Sequence, residues 1–124
     1  MHPVDFTRII AWQKGHSYVL LVYSLVKSFP AFERLGLVSQ FTRAAVSITA
    51  NIAEGAQKVS KADKLRFLNI SQGSLSECRN YNILSKDLNY ISIEDYRRLE
   101  ESINLASFFL NKYIEGIENN SFNQ

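Results

Sequence analysis

Apolar residues recur along this chain at three- and four-residue steps, and nowhere alternate with the period of two that a half-buried strand needs. The spacing predicts four helices, over about 6–28, 38–56, 60–88 and 93–118, with residues 119–124 as a frayed tail. In the first, Ile9, Trp12, His16, Val19, Leu20, Tyr23 and Val26 form an apolar stripe that Leu21, Val22 and Leu25 widen, so it should meet more than one neighbour. Phe29-Pro30 ends it, because the residue before proline is pushed out of the α region. Ser39, Ser60 and Ser92 stand where N-caps of the next three helices are expected. Asp63 and Asp95 lie three residues after the last two of these, in capping-box position. Gly55 marks the end of the second helix, and Asn89, tolerant of the left-handed conformation, the end of the third. Short connections make neighbours run in opposite directions. The expected fold is all-α: a single antiparallel, up-down-up-down four-helix bundle over residues 1–124.

The second helix carries an unusual polar line. Gln40, Arg43, Ser47, Asn51 and Glu54 fall within roughly 80° of one face. Phe41, Ala45, Ile48 and Ile52 make an apolar stripe beside it, and Ala44, Val46, Ala50 and Ala53 fill the remainder. A freely solvated face would carry Lys and Glu in bulk; so narrow a line suggests a helix enclosed by neighbours. Arg43 and Glu54 lie about 16 Å apart along the axis and cannot satisfy each other. A hairpin turning near 57–58 would set Glu54 level with Lys61 and near Lys64. It would set Arg43 level with Gln72 and Gly73, a turn from Glu77. Charge pairing is expected there, within a subunit or across a symmetric interface. Gly73 costs about 1 kcal/mol in mid-helix relative to alanine, which the close approach of another helix would offset. The line and its glycine either set register between subunits or form a polar seam satisfied inside one bundle.

Composition adds few constraints. The 124 residues include only two prolines and five glycines, consistent with long helices. Tyr18 to Val26 is too short an apolar run to span a bilayer, and no cleavage site follows it, so a cytoplasmic protein with no membrane contact is expected. Net charge is +2, unevenly placed: residues 1–86 hold eleven Lys/Arg against five Asp/Glu, and residues 87–124 hold three against seven. A basic body with an acidic last helix can associate with its own copies or with a polyanion. Lys58, Lys61, Lys64 and Arg66 form the densest basic run and the candidate nucleic-acid contact; the competing reading is a solvated helix start partly paired with Glu54 and Asp63. No exposed aromatics interleave with it to stack bases.

Catalysis has little to stand on. The two histidines are His2, near the terminus, and His16, on an apolar stripe. Cys78 is single and reads as a buried thiol; a His16–Cys78 dyad is the remote exception. No Glu-x-x-His pair, zinc spacing, phosphate-cradling loop or nucleophile elbow is present, so no metal, cofactor, small-molecule substrate or catalytic residue is assigned. A protein-binding adaptor using Tyr90, Tyr96 or Phe122, without nucleic-acid contact, is the alternative.

Arg43-Ala44-Ala45-Val46-Ser47-Ile48 followed by Asn51-Ile52-Ala53-Glu54-Gly55 resembles the core motif of four-helix-bundle proteins encoded in intervening sequences of bacterial 23S ribosomal RNA genes. Phe67-Leu68, Gly73-Ser74-Leu75 and Glu77 match that family's third helix. Trp12, Tyr23, Phe29-Pro30, Glu33 and Gly36-Leu37 are similar to its first helix and connector. Thr49 stands where that family often has proline, Val38 where threonine is common, and Asn89 where glycine is usual. The resemblance implies a cytoplasmic bacterial bundle assembling into a ring-like homo-oligomer, a pentamer, of unsettled role. A related branch resembles the accessory protein of diversity-generating retroelements, which implies an RNA-associated or scaffold role beside a nucleic-acid enzyme.

Overall fold

The computed structural model describes residues 3–120. Among them lie four α-helices and no strand: α1 Ile10–Val26, α2 Leu37–Ala56, α3 Lys61–Asp87 and α4 Ile93–Glu118. Short 3-10 turns at Phe6–Arg8 and Ala31–Glu33 precede α1 and α2. His2, Phe122 and most of the expected tail lie outside the described residues.

The first helix starts later than its pattern suggests. Asp5 accepts a hydrogen bond from the Thr7 amide and closes a 3-10 turn. Ile9 is then extended, with φ −75° and ψ 121°, so α1 begins at Ile10. Its buried side consists of Ala11, Gly15, Tyr18, Val19, Val22 and Val26, whereas Leu20 and Tyr23 of the expected stripe are exposed. The small residues Ala11 and Gly15 let the helix roll its Tyr18–Val22 side inward.

Capping corrects one expected boundary and follows the sequence at two others. Ser39 is not the N-cap of α2; the helix starts two residues earlier, at Leu37, with no cap from the Gly36 position itself. The Glu33 carboxylate, presented by the preceding turn, accepts from the Leu37 amide at 3.1 Å and satisfies that end. Its other oxygen accepts from the Tyr90 hydroxyl at 2.8 Å, tying the start of α2 to the α3–α4 connection. Ser60 and Ser92 accept from the Asp63 and Asp95 amides and cap α3 and α4. Asn89 has φ 61°, and the bonds from Tyr90 N to Ser85 O and from Asn89 N to Lys86 O close a Schellman end on α3.

Helix α2 packs on α1 and α3, and α4 packs on α1 and α3, leaving α2 and α4 at opposite corners. One continuous core runs through all four, including Tyr18, Phe41, Ile48, Ile52, Leu68 and Leu110. Contacts between α2 and α3 ascend one helix as they descend the other. Lys64 reaches the Ala56 carbonyl, Ser71 the Ile48 carbonyl and Ser74 the Ser47 hydroxyl. The two helices approach closely at Gly55, where an added Cβ would stand 3.2 Å from both the Lys64 carbonyl oxygen and the Phe67 Cβ. At Gly73, where the sequence suggested one, an added Cβ would meet nothing within 4 Å.

Candidate association surface

The apolar stripe of α2 turns inward between α1 and α3, which leaves its outer third to the surface of the chain. Gln40, Arg43 and Glu54 are exposed, and Ser47 and Asn51 are half-buried. The middle of the line is satisfied locally: Asn51 donates to the Ser47 carbonyl at 2.8 Å and to its hydroxyl at 3.0 Å, and Ser74 donates to that hydroxyl from α3. The ends differ. Gln40 and Glu77 both accept weakly from the Tyr81 hydroxyl, at 3.4 and 3.3 Å. Glu54 pairs with Lys58 at 3.5 Å, one turn on, rather than with Lys61 or Lys64. Arg43 pairs with no carboxylate among the described residues, Glu77 included. The expected register placed the hairpin turn at 57–58. The helices in fact stop at Ala56 and restart at Lys61, which carries Lys61 past Glu54. The same shift brings Glu77 level with Arg43, by the register of the Ser74–Ser47 bond, but Glu77 bonds Tyr81 instead.

The basic run is occupied within the chain. Lys61 donates to the Glu118 carbonyl at 2.6 Å and Lys64 to the Ala56 carbonyl at 3.1 Å. Each thus neutralises the negative, C-terminal end of a helix, α4 and α2 respectively. Lys58 and Arg66 lie 4.9 and 4.5 Å from the Phe67 ring centroid, and Arg66 also approaches Asp63 at 3.8 Å. The four cations therefore cap and pack, with an energy per contact of about 1 kcal/mol or less at such exposed positions.

A different set of cations is left open. Lys27 and Arg34 line a hollow of about 480 Å³ at the corner between α1 and α2, floored by Val26, Phe29 and Val38. Arg43 lines an adjoining hollow of about 460 Å³ with Val46 and Ala50, and the two share Tyr23 and Thr42. Among the described residues no Asp or Glu lines either one. Sequence periodicity misses this groove because it assigns Tyr23, which lines both hollows, to the core. Its only signal is the placement of Lys27, Arg34 and Arg43 around the Phe29-Pro30 connector.

Inside the bundle, a polar chain crosses the core. The Tyr18 hydroxyl donates to Asn82 Oδ1 at 2.6 Å, and Asn82 Nδ2 donates to Glu100 at 2.9 Å. Tyr18, Asn82, Cys78 and Ser85 are fully buried. Burial pushes the Cys78 thiol up to about 12 and raises the Tyr18 phenol too, so neither ionises near neutrality. The polar neighbour of that thiol is Tyr18. His16 is stacked on Trp12 with ring centroids 4.6 Å apart. Among the described residues no three His, Cys, Asp or Glu side chains gather to hold a metal ion, and no helix is long and apolar enough to cross a membrane.

Two comparisons with known proteins bear on this arrangement. The family model described as 23S rRNA-intervening sequence protein matches residues 7–112. The structure of a protein of unknown function from the S23 ribosomal protein family of Bacteroides thetaiotaomicron is similar, with a TM-score of 0.76 and 26% identity. The match covers 85% of this chain and 98% of that one. Nothing among the functionally curated proteins matches this chain.

Proposed function

This chain belongs to the 23S rRNA-intervening sequence protein family, and on that premise we propose that it is a non-catalytic, homo-oligomeric scaffold. In this reading the antiparallel bundle acts in the cytoplasm, and its copies close into a ring, a pentamer. The observation that carries the reading is Arg43. This guanidinium stands beside Val46, Ala50 and the Ser47 and Asn51 side chains. The Glu54 carboxylate further along the same line is held by Lys58, and no carboxylate among the described residues pairs with Arg43. A solvated helix face has no physical need for so few charges, whereas a face covered by another subunit does. Gly73 and Glu77 continue the outer surface onto α3, with open space above the glycine. Among the described residues, Cys78 is buried with its thiol raised to about 12 and His16 is stacked on Trp12, so both members of the remote dyad are engaged in packing.

Association with RNA, or with an enzyme acting on it, draws less support. Lys58, Lys61, Lys64 and Arg66, the residues that would supply phosphate contacts, are engaged with helix ends, Phe67 and neighbouring carboxylates. Light scattering across a wide concentration range tests the main reading. A mass several times the 14.2 kDa of one chain is expected, and a single-chain mass throughout would refute it. A gel shift with structured and single-stranded RNA at low salt tests the second role.

A further inference from the structure

We propose that the α1–α2 groove of one copy seats the outer face of α4 from the next copy, head to tail. This deepens the homo-oligomer reading and rests on it.

Charge is the first argument. Lys27, Arg34 and Arg43 ring the groove without a carboxylate partner among the described residues. On α4, Glu94 and Glu101 likewise lack a cation, and they fall at a seven-residue interval with Phe108 on one ridge. The cations on that side of α4, Arg98 and Lys112, are held by Asp95 at 2.9 Å and Glu115 at 3.7 Å. Arg97 falls at heptad spacing with Asn104 and Asn111, which bond to Arg79 and Gln72, and so lies on the flank nearer α3.

Apolar surface is the second. Tyr23 and Val46 at the groove are 46% and 41% exposed, and Leu105 and Phe108 on α4 are 44% and 53% exposed. Each side therefore offers uncovered apolar area beside charge of opposite sign, the composition of an interface rather than of a solvated face.

Level and direction are the third. The start of α4 lies at the same end of the bundle as the Lys27–Arg34 corner, because Tyr90 bonds Glu33 and packs on Phe29 at 5.2 Å. From Arg43 to Ala50 along α2 is about 10 Å, and from Glu101 to Phe108 along α4 the same. Two copies side by side in the same orientation thus bring Glu94 level with Lys27 and Arg34, Glu101 level with Arg43, and Leu105 and Phe108 level with Val46 and Ala50. Because α2 and α4 occupy opposite corners, each copy uses one face as donor and the other as acceptor. Repetition of such a contact generates a closed ring when the rotation permits.

The test is charge reversal read by light scattering, with circular dichroism to confirm helical content. Arg43→Glu and Glu101→Arg should each weaken assembly about tenfold or more, and the double variant should restore it. Single variants that assemble as tightly as the wild type, or a double no better than the singles, would overturn the pairing while leaving a multimeric wild type intact. A wild type that is itself a single chain would remove the homo-oligomer reading and this interface with it. A disulfide readout stands apart from folding effects. A chain carrying both Ala50→Cys and Phe108→Cys should give a ladder of covalent multimers on oxidation, and neither single variant should. Cross-linking of Ala50→Cys to itself would mean a two-fold contact and would overturn the head-to-tail arrangement.

Discussion

Tyr18→Phe removes one oxygen from the centre of the bundle and leaves the ring in place. The hydroxyl it deletes is the donor to Asn82 Oδ1 at 2.6 Å, and both residues have no exposed surface. The Asn82 carbonyl would then be buried without its partner, a penalty of about 1–3 kcal/mol, while the void left is smaller than a water molecule. We expect a loss of about 2 kcal/mol. Asn82→Leu keeps the volume but strands the Tyr18 hydroxyl and takes a donor from the half-buried Glu100, bonded at 2.9 Å; its cost should be about 2–3 kcal/mol. In the double variant Tyr18→Phe with Asn82→Leu, both halves of the first bond are gone and an apolar pair fills the space. Its cost should fall short of the sum by at least about 1 kcal/mol, the mark of two groups satisfied by each other. Urea melts followed by helical circular dichroism, at one protein concentration throughout, give all four values. Losses that simply add would refute the account, because the hydroxyl and the amide would then be acting independently.

Two further expectations concern single residues. Gly55→Ala and Gly73→Ala make the same chemical change with opposite results. At Gly55 the new methyl presses on the Lys64 carbonyl, which cannot rotate away, and overpacking of about 1–3 kcal/mol outweighs the helix gain; at Gly73 the space is open and about 1 kcal/mol of helix propensity is recovered. Melting temperatures in the reverse order would contradict the packing described. Cys78, whose thiol is raised to about 12, keeps its proton in the folded state while the unfolded chain loses it near 9. Its contribution is therefore complete below about pH 9 and is lost as pH climbs towards 12, with a slope near 1.4 kcal/mol per unit for that group. Cys78→Ala should flatten that part of the stability profile, and the native thiol should resist alkylation at mild alkaline pH; an unchanged profile or rapid labelling would count against its burial.

Several of these features could be seen in the chain before its fold. Ser60, Ser92 and Asn89 act locally, through bonds to amides or a backbone angle within a few residues, so sequence position alone identified what they do. The start of α2 could not be seen that way. Its cap comes from Glu33, whose carboxylate is aimed by a 3-10 turn and held by Tyr90 from the far end of α3. Within one chain the expected charge pairings do not form, in part for a related reason. Residue numbers place Glu54 opposite Lys61 only if the turn is centred where expected, and a shift of a few residues leaves Glu54 to Lys58 of its own helix end. Lys61 and Lys64 carry the basic signature of a phosphate contact, and in the fold they also donate to helix carbonyls, contacts that have no sequence signal.

What the amino-acid order determined by itself was the number and type of elements, because helical periodicity and capping are set by neighbours within a turn or two. It also marked the α2 line as unusual, since composition along one face is a property of spacing alone. Tertiary structure decided how far each helix rolls, which of two glycines is crowded, and which cations are consumed and which remain open. Those outcomes depend on small rotations and on a register that arises only when four helices share a core, and electrostatic partners within 4 Å are decided by displacements of that size.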